Sequence, residues 1–110
     1  MVIYCVVDIS YYSAASTFQI SMSHKCRNFV EEPMGDKAVT ELAGIGEALG
    51  RRLASQGFTK ACDLLGRYLV LKKNKDMFKA WLSEACGAND DQQEKCYNCL
   101  DQWCNNFMLT

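Results

Sequence analysis

The residues best suited to chemistry in this 110-residue chain lie in the stretch LAGIGEALGRR, residues 42–52, where two glycines flank one isoleucine. Gly44 can take a positive φ angle and so reverse the chain between two helices, while Gly46 lets the backbone approach another molecule without a Cβ in between. We expect the amides from Gly44 to about Ala48 to stand unpaired at the start of a helix and to point outward. This arrangement predicts a site for phosphate groups, with the arginines at 51 and 52 adding positive charge beside it.

Two other glycine-rich phosphate motifs fit these residues less well. A dinucleotide-binding fingerprint requires G-x-G-x-x-G after a strand, whereas this chain has G-x-G-x-x-x-G after a helical segment. A P-loop requires Gly-Lys-Ser or Gly-Lys-Thr, which does not occur in the sequence. The remaining pattern, apolar-x-Gly-apolar-Gly, is typical of a helix-hairpin-helix, which holds the DNA backbone through main-chain amides and reads no base sequence. The alternative is a glycine turn that binds nothing.

The elements that must position this hairpin all have helical signals. Strand-like alternation is absent after Met22. The start and stop signals are Pro33 after the first helix, Gly57 after the helix that follows the glycines, Thr59 before the next, Asn74 and Gly87 around the fourth, and Asn89 or Asp90 before the last. A short helix around VTEL enters the glycine pair, and Gly50 lets the hairpin helices pack closely. We therefore predict an all-α fold, a compact bundle of about five short helices containing a helix-hairpin-helix.

The apolar residues of the second half exceed what one small protomer needs. A domain of under about 90 residues buries only about 60% of its unfolded surface and is marginal alone. The residues concerned are Tyr68, Leu69, Val70, Leu71, Phe78 and Trp81. A homodimer is the simplest way to cover them. The alternative is that all of them lie inside one protomer.

Charge and the amino terminus limit the function classes. The net charge of −1 excludes a uniformly basic protein that coats nucleic acid. Basic residues exceed acidic ones by four in 25–79, and acidic residues exceed basic ones by four in 80–110, so one end suits phosphates and the other does not.

Residues 1–21 contain no Lys or Arg, and Asp8 interrupts their apolar run, which is typical neither of a signal peptide nor of a membrane span.

We therefore divide the chain into an N-terminal extension, residues 1–21, and a functional domain, residues 22–110. The extension is interpreted as disordered or as no part of the native domain, with Met22 interpreted as an alternative initiator.

The seven cysteines raise the question of a metal site. Zinc requires four ligands, usually in two closely spaced pairs, but the sole histidine, His24, lies far from Cys96, Cys99 and Cys104 in sequence. We expect these cysteines to be small buried thiols, reduced in the cell. The sequence thus predicts no metal and no cofactor.

A series of motifs resembles the barrier-to-autointegration factor family. The motifs, in the family's order and spacing, are FVEEPMGDKAV, LAGIGEALG, GFTKA, LLGRYLVLKK, FKAWL, CGAN and CLDQWC, and the resemblance covers residues 22–109. It implies an all-helical homodimer that carries one helix-hairpin-helix per protomer and bridges two DNA duplexes without sequence preference, compacting chromatin. It also implies binding to LEM-domain proteins of the inner nuclear membrane, to lamins and to histones, with no direct membrane insertion. The implied locations are the nucleus, chromatin and nuclear envelope, and also the cytoplasm.

The resemblance also assigns roles to single residues. The implied DNA contacts are Lys25, Gly44, Ile45, Gly46, Ala48, Leu49 and Arg52. The implied dimer and LEM-binding residues are Leu65, Gly66, Val70, Met77 and Trp81. Ser23 matches the amino terminus that vaccinia-related kinases phosphorylate in the family, and Lys72 with Lys73 matches a lysine pair that is either solvated or in contact with DNA.

One segment departs from the family pattern and keeps a second function class open. Where the family usually has basic residues after CGAN, this chain has Asp90-Asp91-Gln92-Gln93-Glu94. This predicts weaker, more salt-sensitive retention of DNA than is usual in the family. The alternative is a dimeric nuclear-envelope adaptor whose DNA binding is weakened or lost.

A DNA-repair enzyme is the other competing class, because base-excision glycosylases also use such hairpins. They need a nucleophilic lysine or a catalytic aspartate beside a pocket for the base, whereas Glu47 follows this hairpin and no catalytic constellation can be assembled. We therefore predict no enzymatic activity and no catalytic residue.

Overall fold

The computed structural model describes residues 23–108, and within them the chain forms helices and no strand. The five α-helices are α1 (His24–Val30), α2 (Glu47–Ala54), α3 (Ala61–Val70), α4 (Lys75–Cys86) and α5 (Asp90–Phe107), with a 3-10 helix at Val39–Glu41 between α1 and α2. The predicted all-α bundle of about five helices is confirmed, and the expected helix around VTEL is this single 3-10 turn. The expectations for the extension, residues 1–21, and for Met22 lie outside the described residues.

Side-chain caps fix where several helices begin and end. Asn74 Oδ1 accepts a hydrogen bond from the amide of Met77 at 2.9 Å, and α4 ends at Gly87 with a φ angle of 73°. At the start of α5, Asn89 and Gln92 accept each other's amides, both at 2.9 Å. These three predicted boundaries are confirmed, because each satisfies backbone groups that the helix itself leaves unpaired.

The start of α3 differs from the expectation. The residue before the helix is Lys60, and Thr59 does not cap it with its hydroxyl. The carboxylate of Asp63 instead accepts the amides of Thr59 and Lys60, both at 3.0 Å. The Asp63 carboxylate lies in the first turn of α3 and satisfies two amides that precede the helix. Its negative charge also interacts favourably with the positive end of the helix dipole.

The core lies where α5, the longest helix, packs against α1 and α4. Its largest fully buried side chains are Tyr68, Phe29, Phe78, Leu42, Ile45, Leu53, Leu64, Leu82 and Leu100. The Tyr68 hydroxyl donates to Asp101 at 2.7 Å, which joins α3 to α5 and gives the buried ring's polar end a partner. Burial and this bond raise the pKa of Tyr68 well above its usual range.

The cysteines of the last helix belong to this core. Cys96, Cys99 and Cys104 are buried and free, as predicted, and so are Cys26 and Cys86. Within residues 23–108 no three metal-capable side chains converge. No helix in the same range is long and apolar enough to cross a bilayer.

Candidate nucleic-acid interface and apolar face

The turn of the hairpin depends on Gly44. Its φ angle is +86°, as predicted, and an added Cβ would lie 2.5 Å from the carbonyl oxygen of Gln92 in α5. Glycine is therefore needed twice over, for the left-handed backbone and for the close approach of another helix. Gly50 has a matching role, because a Cβ there would lie 2.5 Å from the methyl group of Thr40. The predicted close packing at Gly50 is confirmed, and its partner is the 3-10 helix.

The hairpin presents unpaired amides at the start of α2. Gly46 is the residue before the helix, is exposed, and has open space where a side chain would stand. Among residues 23–108, the amides of Gly46, Glu47, Ala48 and Leu49 have no hydrogen-bond partner. Gly46, Glu47 and Ala48 are exposed, whereas the Leu49 side chain is buried in the core. The structure thus contains the unpaired first turn that an anion site requires.

Ile45 departs from the expected row of free amides. Its amide donates to the carbonyl of Leu42 at 3.1 Å, so the expectation that it is unpaired is wrong. Its side chain has 0% exposure. This hydrogen bond belongs to the tight turn before α2. The Ile45 amide therefore stabilises the turn and is not available to an anion.

Lys25 lies against this turn although it is 20 residues away in sequence. Its Nζ donates to the carbonyl of Ile45 at 2.8 Å. An ammonium group has three donors, so two remain for an anion next to the α2 amides. Ser23 is exposed at the start of α1, where its Oγ accepts the amide of Cys26 at 3.1 Å.

Arg52 points along α2 to the end of α4. Its Nη1 donates to the carbonyl of Cys86 at 2.9 Å, and the Gln56 amide group binds the carbonyl of Ala85. Arg52 therefore helps to hold the hairpin helix on α4, and its other guanidinium donors have no partner among residues 23–108. Arg51 is exposed and pairs loosely with Glu47, with 3.6 Å between Nη1 and Oε1.

The acidic start of α5 is largely neutralised by lysines. Lys79 Nζ lies 2.9 Å from Asp90 Oδ1 and 2.9 Å from Glu94 Oε1, and Lys75 also pairs with Glu94. These lysines lower the pKa of Glu94 below its ordinary value. Asp91 pairs with Lys95 at 3.0 Å. Sequence reasoning missed the pairs of Asp90 and Glu94 because their lysines, Lys75 and Lys79, lie on α4. The acidic residues also lie near the positive end of the α5 dipole, which favours carboxylates.

An apolar face covers parts of α3 and α4. Val70 is 68% exposed, Met77 53% and Leu69 36%. Gly66 on α3 is also exposed, and Leu65 and Trp81 are partly buried. The Arg67 guanidinium lies 5.2 Å from the Trp81 ring centroid. The excess of apolar residues is thus smaller than expected, because Tyr68 and Phe78 have 0% exposure and belong to the core.

Lys72 and Lys73 form the turn between α3 and α4. Both have left-handed backbones, with φ angles of 58° and 61°. Two hydrogen bonds hold this turn. Tyr97 Oη donates to the carbonyl of Lys73 at 2.7 Å, and the Lys73 amide donates to the backbone carbonyl of Tyr68 at 3.0 Å. Two adjacent non-glycine residues in this region are uncommon, and here the surrounding bonds maintain them.

Comparison with known proteins gives a consistent family. The family model described as "Barrier to autointegration factor" matches residues 20–107. Barrier-to-autointegration factor of Drosophila melanogaster is 58% identical over 86 residues, which cover 78% of this chain and 96% of that protein. The protein of the same name from Danio rerio is 53% identical over 88 residues, which cover 80% of this chain and 98% of that protein. That of Homo sapiens is 52% identical over 89 residues, which cover 81% of this chain and 100% of that protein.

Proposed function

The chain belongs to the barrier-to-autointegration factor family of chromatin and DNA-binding proteins, and from this premise we propose that it binds double-stranded DNA without sequence preference through its hairpin. The observation that carries the proposal is the row of unpaired amides at 46–49, beside which Lys25 is fixed by its bond to Ile45. Main-chain amides and an ammonium group recognise phosphate oxygens, which are the same in every DNA sequence.

The residues of the hairpin divide into contacts and supports. Gly46, Ala48 and Leu49 offer amides to a phosphate, and Lys25 and Arg52 offer charged donors that their carbonyl bonds hold near α2. Gly44 and Ile45 support the turn, Gly44 by its left-handed backbone against α5 and Ile45 by its buried side chain. We therefore assign all seven residues to DNA binding, some as phosphate contacts and the others as supports of the turn. They are Lys25, Gly44, Ile45, Gly46, Ala48, Leu49 and Arg52.

The same protein acts as a homodimer that bridges two duplexes. Among residues 23–108, Val70 and Met77 are the large apolar side chains with the highest exposed fractions, and a second copy of the chain would cover them. A dimer carries two hairpins and so can hold two DNA segments at once. This is the basis on which the protein compacts chromatin.

The dimer also links chromatin to the nuclear envelope. We assign the face formed by Leu65, Gly66, Val70, Met77 and Trp81 to dimer contact and to LEM-domain proteins of the inner nuclear membrane. Lamins and histones complete the proposed partners, in the nucleus and also in the cytoplasm. Phosphorylation of Ser23 would add negative charge two residues from Lys25 and weaken the hold on DNA.

A dimeric nuclear-envelope adaptor with weak or no DNA binding is the second candidate. The acidic start of α5 favours it, because Gln92 of that segment touches Gly44. The pairing of Glu94 with Lys75 and Lys79 counts against it, since these lysines already compensate that carboxylate. We therefore favour the DNA-binding protein, without enzymatic activity.

The test is an anisotropy titration of the full chain with duplexes of several unrelated sequences over a salt series. Gly46→Glu is the diagnostic variant, because its Cβ meets nothing within 4 Å and its carboxylate would stand at the phosphate position. Ala54→Glu adds the same charge at the other end of α2, where the residue is exposed and helical. Similar affinity for all sequences, lost in Gly46→Glu and kept in Ala54→Glu, supports the proposal. No binding by the parent at low salt favours the adaptor.

A further inference from the structure

Arg67 on α3 is a charged side chain that has no charged partner within its own protomer. Its guanidinium lies 5.2 Å from the ring centroid of Trp81 and 5.9 Å from that of Phe58. These two rings meet edge to face, with centroids 5.1 Å apart. Among residues 23–108 the guanidinium makes no hydrogen bond and no ion pair. A guanidinium that stacks on aromatic rings still has its N–H donors available to a carboxylate.

Gly66, next to Arg67, is an exposed glycine in the middle of α3. Glycine weakens the interior of a helix relative to alanine. An added Cβ would meet nothing within 4 Å, so packing among residues 23–108 does not require glycine at this position. A helix surface without a side chain allows another backbone to approach closely. Gly66 therefore points to a close contact with a second chain.

Asp63 places a carboxylate on the same side of α3. The residues of this side, at the spacing i, i+3, i+4 and i+7, are Asp63, Gly66, Arg67 and Val70. The Oδ2 atom of Asp63 accepts two amides at the start of the helix, both at 3.0 Å. Its Oδ1 atom has no hydrogen-bond partner within the described part of the chain. One side of α3 thus carries an unpaired guanidinium and a free carboxylate oxygen.

We propose that Arg67 forms an ion pair with Asp63 of the second copy, and that this pair forms twice across a two-fold axis at Gly66. The inference rests on the proposed homodimer and specifies the contact that fixes its register. In a two-fold dimer a contact from residue i to residue j is accompanied by the contact from j to i. With the axis at Gly66, Arg67 lies opposite position 65 of the second copy. Position 65 is two residues, or about 3 Å along the helix, from Asp63, a distance that the long arginine side chain spans.

Desolvation supports the same pairing. Covering the apolar face takes the Arg67 guanidinium out of water, and an arginine stays charged in proteins. A buried charge without a partner costs free energy, so the covering surface must supply an acceptor. Asp63 is the only acidic residue of α3, so its image is the carboxylate that a contact between the two α3 helices offers. The same register places Val70 opposite the exposed Cys62 of the second copy, so that apolar side chains face each other.

The test is a double-mutant cycle on the dissociation constant of the dimer, measured by sedimentation equilibrium with the full chain. Arg67→Gln and Asp63→Asn should each raise this constant about tenfold, because two ion pairs are lost per dimer. Together they should raise it no further, whereas two independent contacts would give about hundredfold. Asp63→Asn keeps a side-chain oxygen for the amides at the start of α3, and circular dichroism checks its fold. Arg27→Gln, at an exposed position on α1, is the matched control and should leave the constant unchanged.

A charge reversal keeps the proposal testable if Asp63→Asn unfolds. Arg67→Glu would place two carboxylates together and should weaken the dimer more than Arg67→Gln does. Adding Asp63→Asn to Arg67→Glu should recover part of the loss. A dimeric parent whose Arg67→Gln variant associates equally well, additive effects in the cycle, or equal weakening by Arg27→Gln would each overturn this contact alone. A monomeric parent would overturn the homodimer and the contact together.

Discussion

The Lys25 ammonium donates a hydrogen bond to the main-chain carbonyl of Ile45 at 2.8 Å, so the first helix of the described chain is fixed to the turn of the hairpin. The bond uses one donor and leaves the charge beside the unpaired amides of Gly46 and Ala48. A lysine and a helix start placed together form a stronger anion site than either alone, since both the dipole and the full charge favour a phosphate. Lys25 therefore joins the fold of α1 to the proposed function of α2.

Replacing Lys25 with glutamine should weaken DNA binding. Hydrogen bonds to charged groups contribute about 1.5–3 kcal/mol, so we expect an affinity about tenfold or more lower. The slope of log K against log salt should decrease by about 0.9 because one phosphate contact is lost. Anisotropy titration over a salt series measures both effects. Lys60→Gln, in the segment after α2, is the matched control, and equal losses in both variants would refute a specific role for Lys25.

Replacing Gly44 with alanine should destabilise the protein far more than the same change at Gly35. Both residues have positive φ angles, but a Cβ at 44 meets the Gln92 carbonyl at 2.5 Å whereas one at 35 meets nothing within 4 Å. Left-handed strain alone costs about 1–2 kcal/mol, and the close contact should bring Gly44→Ala to about 3 kcal/mol or more. Urea unfolding measures both variants. Equal destabilisation would mean that α5 moves away freely from the turn.

The hairpin and the helix boundaries could be predicted because their signals are local. Gly44, Asn74 and Gly87 each determine the backbone within four residues of themselves, and each lies where the pattern indicated. Contacts between distant residues leave no such signal. The bonds of Lys25 to Ile45 and of Arg52 to Cys86 depend on how α1 and α4 pack, and no spacing in the sequence encodes that packing.

The apolar face and the acidic segment show the same limit. Tyr68 and Phe78 are as apolar as Val70 and Met77, yet the first two are buried and the last two are exposed. Only the rotation of α3 and α4 on the core separates them. The charge of Glu94 likewise predicts repulsion of DNA when it is considered alone, and its lysine partners become visible only in the folded chain.

Replacing Glu94 with arginine should raise the affinity for DNA. The change removes a negative charge and adds a positive one in the segment whose Gln92 touches Gly44. It also leaves Lys75 and Lys79 without this carboxylate, so the variant should be less stable than the parent. Anisotropy titration and urea unfolding measure the two effects. Glu84→Arg makes the same charge change at an exposed position near the end of α4, and an affinity gain no larger at 94 than at 84 would contradict the prediction.

The pairing of Glu94 should make stability depend on pH in a defined direction. Its pKa is lowered in the folded protein, whereas an unfolded glutamate has a pKa of about 4.3. The unfolded state therefore binds the proton first, so the stabilisation is present above about pH 4.3 and is lost as the pH falls through the folded pKa. Urea unfolding of the parent and of Glu94→Gln should differ at neutral pH and converge in acid. A difference that stays constant with pH would exclude the ion pairs as its source.

Replacing Val70 with glutamate should convert the dimer to a monomer. Val70 is 68% exposed and Met77 is 53% exposed in one protomer, so a second copy would bury apolar groups there. A carboxylate placed at 70 would then be buried without a partner, which costs free energy. Because Val70 contributes little to the protomer core, the variant should keep its helical circular dichroism. Light scattering coupled to size-exclusion chromatography measures the mass. Phe107→Glu, at an apolar position 40% exposed at the end of α5, is the control and should stay dimeric. A dimeric Val70→Glu variant, or a monomeric parent, would place the interface elsewhere or remove it, and DNA bridging by one protein would then need a different explanation.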